Sequence, residues 1–125
     1  MLTQAMHNQN RALGAAMHAT AARIDVIMNN VANNDTPFFV AGTVDFEAAL
    51  GQAIDNWRAT GRLDLSQVRP NLRAQDPGFA YRMDRNNVDM ESEMVRLYTS
   101  VVRYETMVNS VLNNSRRLNT AITGR

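Results

Sequence analysis

Apolar residues recur at alternating steps of four and three at both ends of the chain, while the middle is polar and irregular. Near the start, Leu13, Met17, Thr20, Ile24, Ile27 and Val31 form such a row, and Leu2 and Met6 extend it towards the first residue. This is the spacing of a helix that packs one face against another helix. Ala12, Ala15, Ala16, Ala19, Ala21 and Ala22 add helical propensity and allow a second backbone to come close. Gly14 weakens the helix locally, by about 0.8–1 kcal/mol relative to alanine. The helix is expected to stop at Asn33 or Asn34, because Pro37 drives Thr36 out of the helical region and asparagine tolerates the left-handed geometry of a helix end.

The last segment is more regular. Met94, Leu97, Val101, Tyr104, Val108, Val111, Ser115, Leu118 and Ile122 alternate three and four without a break, and Val95, Tyr98, Val102 and Leu112 make a second row beside them. One partner helix covers one row, so the extra width predicts contact with more than one neighbour. Asp89 is the expected N-cap, Glu91 and Glu93 complement the positive end of the helix dipole, and Arg116 and Arg117 the negative end. A helix of about 30 residues spans about 45 Å, more than a globule of this size requires.

Between these helices, Asp45 is expected to cap a short helix over about 45–58, with Phe46, Leu50, Ile54 and Trp57 on one face and Gly61 ending it. From Arg62 to Asn87 the periodicity breaks up, punctuated by Pro70, Pro77 and Gly78. Short extended segments are expected around Val68 and from Phe79 to Met83, as a small β-rich insert or a segment ordered by a partner. The whole reads as one structural domain of three parts: a helix over 1–34, a middle segment over 35–88 and a helix over 89–125.

Composition narrows the function classes. The 13 basic residues, all arginine, nearly balance 12 acidic ones, so no electrostatic force favours nucleic acid or an anionic membrane. Arginine without lysine is foremost a compositional trait, although its planar guanidinium also suits fixed interfaces. The absence of cysteine excludes a disulfide framework and cysteine-ligated metals. No apolar run approaches the roughly 20 residues of a membrane-spanning helix, and the first residues lack the pattern of a cleavable signal peptide, so departure from the cytoplasm would need another export route.

Candidate chemistry is sparse. His7 and His18 share a helix face but stand about 16 Å apart along the axis, too far to bind one metal. Asp84, Asp89, Glu91 and Glu93 cluster, yet capping and dipole complementarity account for three of them. No phosphate-cradling loop, nucleophile elbow or His-Glu zinc pattern occurs, so no catalytic, cofactor or metal residue is assigned and an enzyme is not expected. Met6, Met17, Met28 and Met94 fall on or beside the helical rows and read as packing residues. Asn29, Asn30, Asn33 and Asn34 crowd one helix end, and Asn109, Asn113 and Asn114 lie in the other helix, where amides serve either solvent or neighbours.

The segment Asn29-Asn30-Val31-Ala32-Asn33-Asn34-Asp35-Thr36-Pro37-Phe38-Phe39-Val40-Ala41 resembles the motif A-N-N-I-A-N-x-x-T-P-G-Y-x-A, which closes the first helix of flagellar rod, hook and hook-associated proteins. Val44 to Leu50 is similar to a D-F-x-x-x-L stretch, Asn86 to Glu91 to G-N-T-V-D-M/L-D, and Arg103-Tyr104-Glu105 to K/R-Y-Q, which narrows the resemblance to the proximal rod proteins. The matching positions are Asn30, Asn33, Thr36, Pro37, Phe46, Asn87, Val88, Asp89 and Arg103, and 58–82 has no counterpart. Phe38 replaces the usual glycine, so an extended turn is expected there; Asn86 replaces another glycine.

The resemblance implies a mainly α fold whose long terminal helices pair as an antiparallel coiled coil around a short irregular or small β-containing middle. It also implies a structural subunit of the flagellar basal-body rod in the periplasmic space, exported by the flagellar type III apparatus without signal cleavage. Its implied partners are copies of itself, other rod subunits including FlgC and FlgF types, a FliE-type adaptor and the export gate near the MS ring, with no nucleic acid and no membrane span. The subunit-packing residues would be Leu13, Met17, Ile24, Ile27, Val31, Met94, Leu97, Val101, Tyr104, Val108, Val111, Leu118 and Ile122. The competing readings are another short axial subunit of the FlgC type and a soluble helical module whose methionine-rich groove takes a partner helix.

Overall fold

Over residues 1–76 and 82–124, which the computed structural model describes, the order is α1 (Leu2–Ala32), β1 (Gly42–Asp45), α2 (Glu47–Thr60), β2 (Asn71–Ala74) and α3 (Met90–Thr123). The two long helices pack side by side and antiparallel. Asn30 near the end of α1 bonds Glu93 near the start of α3, and Asn10 bonds Asn114 towards the other end. A small antiparallel sheet joins β1 to β2, with Gly42 opposite Ala74 and Asp45 opposite Asn71, and α2 connects the strands.

The helix ends follow their local chemistry, with corrections. At the start of α3 the Asp89 side chain accepts the Ser92 N–H at 3.3 Å, as an N-cap should. The helix runs on to Gly124, which closes it at φ 69°, and Arg116 and Arg117 fall short of the last turn where the dipole would favour them. α1 ends at Asn33 with φ −100° and ψ 15°, not the left-handed geometry expected of asparagine. Its amide instead folds back, Nδ2 donating to the Asn29 carbonyl at 2.8 Å, so the side chain closes the last turn without a left-handed residue.

The middle segment departs furthest from expectation. Asp45 does not cap α2: it is the last residue of β1, and its carboxylate lies 3.6 Å from Arg73 across the sheet. α2 begins two residues later, where the Glu47 carboxylate accepts the Phe46 N–H at 3.2 Å, and Gly61 ends it at φ 72°. Val68 is buried in a turn, not a strand, with its N–H bonded to the Leu65 carbonyl, and β2 follows three residues later. Every residue of β2 is exposed, so no alternation of apolar and polar positions marked it. Of the segment expected from Phe79 to Met83, Phe79, Ala80 and Tyr81 lie outside the described residues, as do Pro77 and Gly78, and Met83 is exposed in a turn.

The core is small. Ala16, Ala19, Val44 and Phe46 form its centre, with Val26, Leu50 and Met107 packed around them. The two alanines hold α1 close to α3 and β1, where larger side chains would separate them.

Candidate functional site

Where α1 ends and α3 begins, four asparagines gather the intervening loop. Asn30 is buried and embraces Gly42, its Oδ1 accepting the glycine N–H at 2.9 Å and its Nδ2 donating to the glycine carbonyl at 2.8 Å. Glycine suits this approach, since a Cβ there would stand 3.1 Å from Val26 and 3.2 Å from Leu72. Asn86, fully buried, donates through Nδ2 to the carbonyls of Asn33, Asn34 and Thr36 at 2.8–3.0 Å, while its Oδ1 accepts the Val88 N–H at 2.7 Å. The Asn87 Oδ1 accepts the Ala41 N–H at 2.7 Å, and the Thr36 hydroxyl donates to Asn33 Oδ1 at 3.2 Å. Amide side chains thus stand in for the backbone partners that an irregular loop cannot supply itself.

The clasp overturns one expectation. Phe38 is not extended: it sits at φ 60°, in the left-handed region, and its N–H donates to the Asp84 carbonyl at 3.0 Å. The hydrogen bonds on both sides of residues 33–42 hold this turn, at a cost of about 1–2 kcal/mol for a residue with a Cβ. The Phe38 side chain gains little in return, being 70% exposed, and Pro37 beside it is exposed as well.

Two charged residues complete the framework. Glu93 is 2% exposed, and its carboxylate accepts from Asn30 Nδ2 at 3.0 Å and lies 3.4 Å from the Arg96 guanidinium. Dipole complementarity alone does not explain so buried a charge; it is the polar link that ties the end of α1 to the start of α3. Arg23 donates to the Val44 carbonyl at 2.6 and 3.1 Å, pairs with Glu47 at 2.6 Å and lies 4.8 Å from the centre of the Phe46 ring. The Arg23 hydrogen bond foremost holds the Glu47 carboxyl down to about 2. Neither role was legible beforehand, because the partners lie far away in sequence.

The helix pairing divides α3 into distinct faces. Towards α1 run Glu93, Leu97, Ser100, Tyr104, Met107, Val111, Asn114 and Leu118, all buried or half-buried at alternating steps of four and three. Leu97, Tyr104, Val111 and Leu118 belong to the apolar row read from the sequence, whereas Met94, Val101 and Val108 stand one residue round the helix. There they join Tyr98, Glu105 and Leu112 in a second row on the flank, and Val95 and Val102 stand farther round the helix, away from the inner face. Tyr98 is 75% exposed, Val95 67%, Met94 49% and Val101 37%. On α1, Thr20 and Ile27 are buried, Leu13, Met17, Ile24 and Val31 half-buried, and Ile122 at the far end of α3 is exposed. The pairing thus mixes Glu93, Ser100 and Asn114 with apolar residues on the inner face and leaves a second apolar row exposed.

On the opposite flank Arg103, exposed, lines a cleft of about 310 Å³ with Arg23, Arg96, Val26 and Val95. Among the described residues, no three His, Asp or Glu side chains converge to hold a metal, and no helix is long and apolar enough to cross a membrane.

No protein-family profile matches the chain. Curated relatives do. The chain is 32% identical over 104 residues to flagellar basal body rod protein FlgB of Bacillus subtilis, covering 79% of this chain and 81% of that protein. It is 33% identical over 115 residues to FlgB of Borrelia hermsii, covering 80% and 84%, and 32% identical over 104 residues to FlgB of Yersinia enterocolitica, covering 73% and 76%.

Proposed function

The chain belongs to the FlgB family of flagellar basal body rod proteins and is a structural subunit of that rod, and from this premise we propose that it links the export gate and MS-ring region to the rest of the rod. Its neighbours in this reading are copies of itself, a FliE-type adaptor and rod subunits of the FlgC and FlgF types. It reaches the periplasmic space through the flagellar export apparatus without signal cleavage. The observation that carries the reading is the division of α3: an inner face satisfied by α1 and a flank of Met94, Tyr98, Val101 and Leu112 left exposed. Burial of that flank between subunits supplies the apolar area that the small core lacks. The half-buried rows of Leu13, Met17, Ile24 and Val31 on α1, and of Val108, Val111 and Leu118 on α3, border this surface and pack against neighbours in the same reading.

An antibody to the protein, applied to purified hook-basal bodies, tests the proposal. Labelling at the end nearest the inner membrane is the expected result. Labelling elsewhere along the rod would overturn the link to the export gate, and none at all, on basal bodies holding other rod proteins, would remove the rod assignment.

A further inference from the structure

The two flanks of α3 carry opposite charges, each in a partly apolar setting and each without an ion-pair partner among the described residues. In the cleft between α1, β1 and α3, Arg23 is committed to Glu47 and to the Val44 carbonyl, and Arg96 to Glu93. Arg103 is then the cleft guanidinium with no ion-pair partner among the described residues, beside the apolar side chains of Val26 and Val95; the Asp45 carboxylate, which also lines the cleft, lies 3.6 Å from Arg73. Across the helix, Glu105 borders a shallow groove with Ile24, Val101 and Val108, and it too has no ion-pair partner among the described residues. Positions two residues apart differ by about 200° around an α-helix, so the Arg103 and Glu105 side chains leave α3 on nearly opposite sides.

We infer that the Glu105 flank of one copy docks in the Arg103 cleft of the next copy, the carboxylate meeting the guanidinium while the valines of the two surfaces close around them. The occupant is a second copy because the required charge, on an apolar helical face, is present on this chain itself. A carboxylate and a guanidinium form a strong, directional pair where water is excluded. Because cleft and flank lie on opposite sides of one helix, the contact is heterologous: each copy offers its cleft to one neighbour and its flank to another, and the interaction propagates into a ring or helical array. The inference rests on the rod-subunit reading and specifies which face meets which.

The test uses cells that lack their own copy of the gene and express the full chain or a variant, with the protein quantified in purified basal bodies. R103E and E105R, expressed singly, should each lower incorporation by about tenfold or more, because each places like charges face to face. The double variant R103E/E105R should regain it to within about twofold, as should co-expression of the two single variants, whose copies can alternate with opposite charges matched at every contact. Single variants that incorporate as the wild type does would overturn the inference and leave the rod reading intact. So would single variants that fail with no recovery in the double variant or the mixture, which is also the pattern expected if a different protein covered the flank. Wild-type protein absent from the basal bodies would remove the rod reading itself.

Discussion

The two ends of the α1–α3 pair are closed by different means. At the loop end, Asn30, Asn86, Asn87 and Glu93 are buried and each polar side chain is hydrogen-bonded within the chain. At the terminal end, Leu2 and Ile122 are 73% and 75% exposed, and the Asn114 amide reaches Asn10 at 2.9 Å. The loop end is finished by the monomer's own atoms. The terminal end and the outer flank of α3 leave apolar surface exposed, which in the proposed reading neighbouring subunits cover. The same helix pair is therefore closed by its own polar groups at one end and left with exposed apolar residues at the other.

Substitutions should separate these halves. Asn30→Leu is expected to have the largest effect on the monomer, lowering unfolding stability by about 3 kcal/mol or more, since Gly42 loses both partners and the buried Glu93 carboxylate loses its amide. Urea unfolding followed by circular dichroism measures this; a loss below about 1 kcal/mol would show that the clasp does not hold the helices together. Val101→Asp should do the reverse. At a residue 37% exposed, the monomer changes by about 0.5 kcal/mol or less, while a charge buried between subunits costs about 3 kcal/mol or more and removes the protein from basal bodies. Normal swimming with Val101→Asp would place the assembly surface elsewhere.

How much of this was legible in the sequence also differs between the halves. Periodicity located both long helices, and Asp89 and Gly61 were read correctly as the residues that start α3 and stop α2. On the inner face of α3 the apolar spacing marks Leu97, Tyr104, Val111 and Leu118, but it cannot reveal that Glu93, Ser100 and Asn114 turn inward between them. Met94, Val101 and Val108 are the more hydrophobic neighbours, yet Glu93 and Asn114 take the inward places because they hydrogen-bond Asn30 and Asn10 across the helix pair. The motif residues Asn30, Asn33, Asn86 and Asn87 were visible as a pattern, but their function depends on carbonyls and N–H groups several to fifty residues distant. β1 and β2 escaped notice for the same reason: their pairing is non-local, and β2 has no buried side.

Phe38 offers a smaller test of how firmly the clasp governs the loop. Phe38→Gly relieves about 1–2 kcal/mol of left-handed strain, while the more flexible unfolded chain takes back about 0.5–1 kcal/mol. The net expectation is a gain of about 0.5–1 kcal/mol in monomer stability, read as a small rise in the urea midpoint. A loss would mean that the exposed phenyl ring contributes packing that its 70% exposure does not suggest.

The smallest expected effect probes the Arg23 staple through pH. Glu47 is held down to about 2 in the folded chain, against an ordinary 4.5. Unfolded carboxylates therefore bind protons first as pH falls, and the stabilisation from Glu47 is complete above about pH 4.5 and gone once pH passes below about 2. The glutamate side chain is 54% exposed, so solvent screening limits the contribution to about 0.5–1 kcal/mol. Glu47→Gln should accordingly be less stable than the wild type by that amount at about pH 6, with the two curves converging towards about pH 2. Arg23 keeps its two hydrogen bonds to the Val44 carbonyl in the variant, so α1 stays fastened to β1 and only the tie to α2 weakens. A constant gap between the curves across that range would show that the carboxylate's charge is not what joins α2 to the helical pair.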